Sequence, residues 1–214
     1  MRVLHVFDHS LPLQSGYAFR SQAILEGQRA LGLDTVQVTS SKHSCWRGER
    51  EQGELHFHRT PPGLFKSIPI LNQFDVVRGL EARLRDVLSH EQIDIVHAHS
   101  PCLTGIAALR VSRAFDLPFI YEMRALWEDA AVDHGSTKPN SLRYRFSRML
   151  ETWVLRRADA IVCICEGLKT EIIHRGIPAE RVTVVPNGVD VDHFTLLDRH
   201  MRNSRLDLDS VLNQ

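Results

Sequence analysis

Residues 3–39 read VLHVFDHSLPLQSGYAFRSQAILEGQRALGLDTVQVT, and this stretch decides the fold. Val3 to Phe7 is a short apolar run, and Asp8 to Gly16 is a polar, glycine-containing turn. From about Ala18 to Leu31 the spacing is helical, and Gly32 stands where a helix ends with a residue just past its C-cap. Thr35 to Thr39 is rich in β-branched residues and reads as a second strand. The chain therefore opens strand, glycine loop, helix, strand.

The same alternation continues outward. Residues 40–53 are polar and read as a loop, and Leu55 to Arg59 alternates like a strand. Pro61, Pro62, Gly63 and Pro69 break the chain. A helix follows over Leu71 to Leu88, with Phe74, Val77, Leu80, Leu84 and Leu88 on one stripe. Ile93 to Ala98, Pro118 to Glu122, Ala160 to Ile164 and Val182 to Val185 read as strands. Leu103 to Phe115, Leu142 to Ala158 and Gly167 to His174 read as helices between them. Pro186, Asn187 and Gly188 close the last strand. Strands alternating with helices predict an α/β fold, a doubly wound, mostly parallel Rossmann-like sheet in a single domain over residues 1–196. Residues 197–214 read as a linker and the first fragment of something further.

Composition removes several function classes. The chain has 214 residues, enough for one sizeable domain, and 26 basic residues balance 26 acidic ones. Nothing in that balance points to nucleic acid. The opening apolar run is broken by Asp8 and His9, unlike a secretion signal. No stretch reaches the ~18 apolar residues of a membrane span. The expectation is a cytoplasmic protein. Cys45, Cys102, Cys163 and Cys165 include no Cys-x-x-Cys pair, and buried free thiols are expected, with Cys163 and Cys165 on one face of a strand.

Four constellations carry chemistry. Ser15-Gly16-Tyr17-Ala18-Phe19-Arg20 lies between the first strand and its helix, where backbone N–H groups and the helix dipole favour a phosphate; a plain strand–helix turn is the other reading. In Val96-His97-Ala98-His99-Ser100-Pro101 the two histidines face one side of a strand, with His99 at its tip. A metal there needs a third ligand, and none stands at helpful spacing in the sequence. Tyr121 to Asp129 gathers charge and aromatics at the same sheet edge, where Arg124 can serve a site or pair with Glu122 or Glu128. On the helix from Leu142 to Arg157, Leu142, Phe146, Met149, Leu150, Trp153 and Val154 form an apolar stripe expected to cover the core. Arg143, Arg145, Arg148, Arg156 and Arg157 lie off it, as a solvated face or a contact for anionic lipid.

Taken in order, these motifs, together with Arg157 to Lys169 and Val182-Thr183-Val184-Val185-Pro186-Asn187-Gly188-Val189-Asp190, resemble the large group 1 family of retaining glycosyltransferases with the GT-B architecture. The resemblance covers roughly residues 2–196 and implies the N-terminal, acceptor-side domain. It implies transfer of a sugar from a nucleotide-diphosphate sugar to a hydroxyl of a glycan or lipid-linked acceptor, with retention and no cofactor or metal. It implies a diphosphate loop at Ser15 and Gly16, a catalytic role for His99, and an acceptor pocket shaped by Arg20, Glu122 and Arg124. Asn187, Gly188 and Asp190 would lie on the hinge side. Polysaccharide or cell-envelope glycoconjugate synthesis is the implied setting, with peripheral membrane contact through Arg143, Arg145 and Arg148.

The sequence departs from the family in one respect. No Glu is followed by another eight residues later, so the E-x7-E pair of the donor-binding domain is absent. A missing C-terminal domain and an inactive isolated chain are therefore expected. The rival readings are a stand-alone acceptor- or partner-binding module, a metal-dependent hydrolase using His97 and His99, and a nucleotide-sugar epimerase on the same fold.

Overall fold

The computed structural model describes residues 1–43, 55–65 and 68–188. Its strands are β1 (Arg2–Phe7), β2 (Asp34–Thr39), β3 (Phe57–Arg59), β4 (Ile95–His99), β5 (Phe119–Met123), β6 (Ala160–Cys163) and β7 (Val182–Val184). Its helices are α1 (Gly16–Ala30), α2 (Pro69–His90), α3 (Cys102–Ala114), α4 (Trp127–Asp133), α5 (Leu142–Arg157) and α6 (Glu166–His174). The strands form one sheet in the order β3-β2-β1-β4-β5-β6-β7, and every neighbouring pair is parallel. The expected doubly wound sheet is the one present.

The order reverses between β1 and β4. This is the switch point where a crevice opens outside the carboxyl ends of the strands. The register across that seam pairs His5 with His97, and across the next pair His99 with Glu122. Leu4, Val6, Val38, Ala98, Phe119, Tyr121 and Met123 are buried in the sheet, as parallel strands covered on both faces must be. Helix α3 approaches the sheet closely at Gly105, where an added Cβ would stand 2.7 Å from Tyr121 and 2.8 Å from Val154.

Some expectations need correction. Phe74 leaves the buried stripe of α2 and is exposed, while Val77, Leu80 and Leu84 are buried. The α5 stripe divides: Val154 is buried and Leu150 and Trp153 are partly so, but Leu142, Phe146 and Met149 point outward. The buried side of α5 instead carries Glu151, Val154 and Leu155. Cys163 and Cys165 do not share a strand face, because β6 ends at Cys163 and Cys165 is the exposed residue before α6. The stretch after β5 contains α4, a short helix that sequence periodicity did not show. Cys45 and the proposed linker at 197–214 lie outside the described residues.

Candidate functional site at the carboxyl edge of the sheet

Three strand ends and one helix build a buried polar cluster. His5 comes from β1, His97 and His99 from β4, Glu122 from β5, Arg124 from just beyond it, and Arg20 from α1. Glu122 Oε1 accepts from Arg124 Nε and from Arg20 Nε, both at 2.8 Å. Arg124 also donates to Tyr17 O at 3.0 Å, to Ser21 Oγ at 2.9 Å and to His99 Nδ1 at 2.7 Å. Its guanidinium lies 4.2 Å from the centre of the Tyr17 ring, a cation–π contact inside the protein. Two guanidinium groups face one carboxylate, so the cluster carries one surplus positive charge.

The histidine tautomers follow from the partners. His5 Nε2 lies 2.8 Å from Gln28 Oε1, an acceptor, so that nitrogen carries the proton and Nδ1 offers a lone pair. His99 Nε2, 3.0 Å from His5 Nδ1, must then donate, which leaves His99 Nδ1 free to accept from Arg124. The chain Gln28–His5–His99–Arg124–Glu122–Arg20 is satisfied with both of its histidines neutral. Burial pushes His5 down to about 3 and His97 to about 4, and holds His99 well below the ordinary histidine range. Burial alone would raise Glu122, but the Arg124 guanidinium beside it holds it well below the usual carboxylate range.

The predicted residues come together unequally. Arg20, Glu122, Arg124 and His99 share one network. His99 has no exposed surface, and both its nitrogens are engaged inside the protein. By contrast, His97 Nε2 has no hydrogen-bond partner, although the atom is buried and lies 3.5 Å from Glu122 Oε2. Ser15 is the N-cap of α1, and its Oγ accepts the Ala18 N–H at 3.1 Å. Gly16 opens that helix with nothing within 4 Å of an added Cβ. The chain's own packing therefore does not require glycine there. Arg20 reaches the other side of the crevice, donating to Val185 O, Pro186 O and Asn187 Oδ1 at 2.8, 3.1 and 3.0 Å. Gly188 is the next residue, and Asp190 lies outside the described residues.

Sequence reasoning missed His5. His5, His97 and His99 together offer three ring nitrogens within 4.8 Å of one another, so the missing third ligand for a metal is supplied by β1. Alternation along Val3–Phe7 put His5 on one face of a strand, but only the β1–β4 pairing brings it to His97. A metal here would have to break the His5–His99 bond and sit beside the Arg124 guanidinium. The hydrogen-bond chain already engages the nitrogens of His5 and His99, while His97 Nε2 stands outside it.

A second polar group lies behind the first. Arg175 Nη2 pairs with Glu128 Oε1 at 2.5 Å and Arg175 Nε with Glu171 Oε1 at 2.9 Å, tying α4 to α6. Arg124 thus pairs with Glu122 and leaves Glu128 to Arg175. Glu151 accepts from Tyr121 Oη at 2.5 Å. Burial raises its carboxyl to about 7.

Comparison with known proteins agrees with this architecture. The glycosyl transferase 4-like domain family matches residues 15–188. A GDP-mannose-dependent alpha-mannosyltransferase of Mycobacterium tuberculosis (strain CDC 1551 / Oshkosh) is 24% identical over 202 residues, covering 91% of this chain and 49% of the relative. A D-inositol 3-phosphate glycosyltransferase of Xylanimonas cellulosilytica is 29% identical over 104 residues, 48% of this chain and 24% of the relative. Among solved structures, sucrose-phosphate synthase from Thermosynechococcus elongatus superposes with a TM-score of 0.71 at 14% identity, over 98% of this chain and 54% of that one. Anabaena HepE in complex with UDP-glucose gives 0.68 at 13% identity, over 98% and 50%. The chain spans about half the length of that mannosyltransferase and matches about a quarter of the inositol phosphate glycosyltransferase. With the N-terminal half of the GT-B fold in its sheet and the family's sequence pattern over residues 15–188, the chain belongs to the glycosyl transferase 4-like family.

Proposed function

We propose that this chain forms the acceptor side of a glycosyltransferase that moves a sugar from a nucleotide-diphosphate donor to an acceptor hydroxyl with retention. The observation that carries the reading is the cationic cluster of Arg20 and Arg124 around Glu122, at the carboxyl ends of β1, β4 and β5 in a member of this family. The relative named for GDP-mannose and the neighbour solved with UDP-glucose support that donor class.

The leaving diphosphate gains negative charge in the transition state and is stabilised by fixed cations and dipoles. The N-terminus of α1 at Ser15 and Gly16 contributes such a dipole from this side. His97 Nε2, the orphaned nitrogen, is the histidine group available to a ligand. His99 acts through Arg124, whose guanidinium it orients. Asn187, held by Arg20, and Gly188 beside it would stand on the hinge side of the cleft. The facing groups for the diphosphate would belong to a donor-binding domain, and without one the 214 residues are expected to transfer little. The acceptor is a glycan or lipid-linked sugar of polysaccharide or cell-envelope synthesis, used in the cytoplasm, and the reaction uses no cofactor.

UDP-N-acetylglucosamine 2-epimerase from Rickettsia bellii shares the fold at a TM-score of 0.57 and gives the second reading. Product analysis separates the two. Transfer yields a glycosylated acceptor and free nucleotide diphosphate, whereas epimerisation returns an intact nucleotide sugar. A stand-alone binding module would consume no donor under any pairing.

A further inference from the structure

Helix α5 has two apolar faces where a surface helix has one. At ~100° per residue, Leu142, Phe146, Met149 and Trp153 fall on a single stripe, opposite the face of Glu151, Val154 and Leu155 that packs inward. Leu142 is 85% exposed, and Phe146 and Met149 are each 56% exposed. Leu142, Phe146 and Met149 therefore cover no core, and the partly buried Trp153 continues their stripe.

Cations flank that stripe on both sides. Arg145 and Arg156 lie along one edge, and Arg143 and Arg157 along the other; all four are exposed. Among the described residues none of the four has a carboxylate partner. Arg143 and Arg157 donate to the backbone carbonyls of Ser136 and Trp153, and Arg156 to that of Arg175. The acid on α5, Glu151, faces inward. Between the arginines runs a shallow groove of about 420 Å³, floored by Met149, Thr152 and Trp153. No helix among the described residues is long and apolar enough to cross a membrane.

We propose that this outer face of α5 seats the protein on an anionic lipid bilayer. A stripe of Leu, Phe, Met and Trp between two rows of arginine matches the boundary of headgroup and acyl chain. The apolar side chains enter that boundary and the guanidinium groups stay with the phosphates. Charge favours this occupant, since the four exposed arginines have no counter-charge of their own and the leaflet supplies it. The inference stands apart from the transferase reading, because vesicle binding needs no turnover.

The test is co-sedimentation of the purified chain with vesicles of phosphatidylcholine alone or with one-third phosphatidylglycerol. Binding should be about tenfold or more stronger on the anionic vesicles and should weaken as salt is raised. R145E/R156E should lose most of that gain, and Phe146→Asp should weaken binding while keeping part of the salt dependence. All three positions are exposed, and an unchanged thermal transition confirms that the variants fold. Equal binding to both vesicle types, or undiminished binding by R145E/R156E, overturns the proposal. Displacement by inorganic phosphate at matched ionic strength would reassign the groove to a free anion. Self-association without vesicles that Phe146→Asp abolishes would reassign the face to a second copy of the chain.

Discussion

Arg124 is the residue on which the cluster depends. It is 7% exposed and binds Glu122, Tyr17, Ser21 and His99 at once. Removing one partner of a buried ion pair typically costs about 3–5 kcal/mol, because the remaining charge is left buried. Glu122 would keep only Arg20. Arg124→Met should therefore destabilise the chain by roughly that amount in urea denaturation, and Arg124→Lys by less, since the charge remains and only the planar fork is lost. A change below about 1 kcal/mol in Arg124→Met would mean that the pair is not closed in solution. Gly16 makes the opposite prediction. An added Cβ meets nothing, so Gly16→Ala should leave stability within about 1 kcal/mol while weakening nucleotide-sugar binding in the assembled enzyme. Unchanged affinity would remove the α1 N-terminus from the donor site.

At the scale of elements, two glycines separate packing from propensity. Gly105 of α3 lies against Tyr121 and Val154, and a methyl group there must displace a buried ring or valine. Gly105→Ala should cost about 1–3 kcal/mol. Gly27 sits inside α1 with open space around it, and Gly27→Ala should add about 0.5–1 kcal/mol. Thermal melts of both variants check the pair, and a stabilising Gly105→Ala would contradict the close contact of α3 with the sheet.

These elements also show what the sequence made legible. The seven strands and five of the six helices could be read from apolar period and from glycine and proline punctuation, because each buries one face or both against a neighbour. The short helix α4 could not, since seven residues hold less than two full helical turns of pattern. On α5 the period was right and the direction was right for Leu150, Trp153 and Val154 but wrong for Leu142, Phe146 and Met149. A stripe of Leu, Phe and Met looks the same whether it meets the core or leaves it, and the burial of Glu151, Val154 and Leu155 shows which side faces in. In the site, His97, His99, Glu122, Arg124 and Arg20 were readable because strand tips and the first strand–helix loop converge in a parallel sheet. His5 was not, because its neighbours are set by the β1–β4 pairing, a contact between residues 94 positions apart.

For the whole molecule, the buried titratable groups set an acid limit. His5, His97 and His99 take up protons less readily in the folded protein than the ordinary value of 6.5. Above that pH neither state is protonated and they contribute no pH dependence. Below it the unfolded chain binds protons that the folded one does not, so stability falls. Glu151 acts in reverse. Its folded value of about 7 lies above the ordinary 4.5, so between those limits the folded state holds the extra proton and stability rises as pH falls. Each group changes stability by on the order of 1 kcal/mol per pH unit within its window, and three histidines outweigh one glutamate. Stability should fall from pH 6.5 toward pH 5. Glu151→Gln, an isostere of the protonated acid, should stabilise the chain by on the order of a few kcal/mol at pH 8, with the gain vanishing near pH 4.5. Denaturant titrations across this range check both slopes.

The proposal to be tested is that residues 1–214 supply the acceptor side of a sugar transferase and need a donor-binding domain to act. The most direct measurement is transfer from radiolabelled UDP- and GDP-sugars to glycan and lipid-linked acceptors. It should be run on this chain alone and on the chain extended by the reading frame that follows it. The account predicts transfer from the extended protein, negligible transfer from the 214 residues, and a loss of about 10²-fold or more in an extended Arg20→Ala variant that still folds. Equal transfer by the short chain, an epimerised nucleotide sugar as product, or an undiminished Arg20→Ala rate would contradict it.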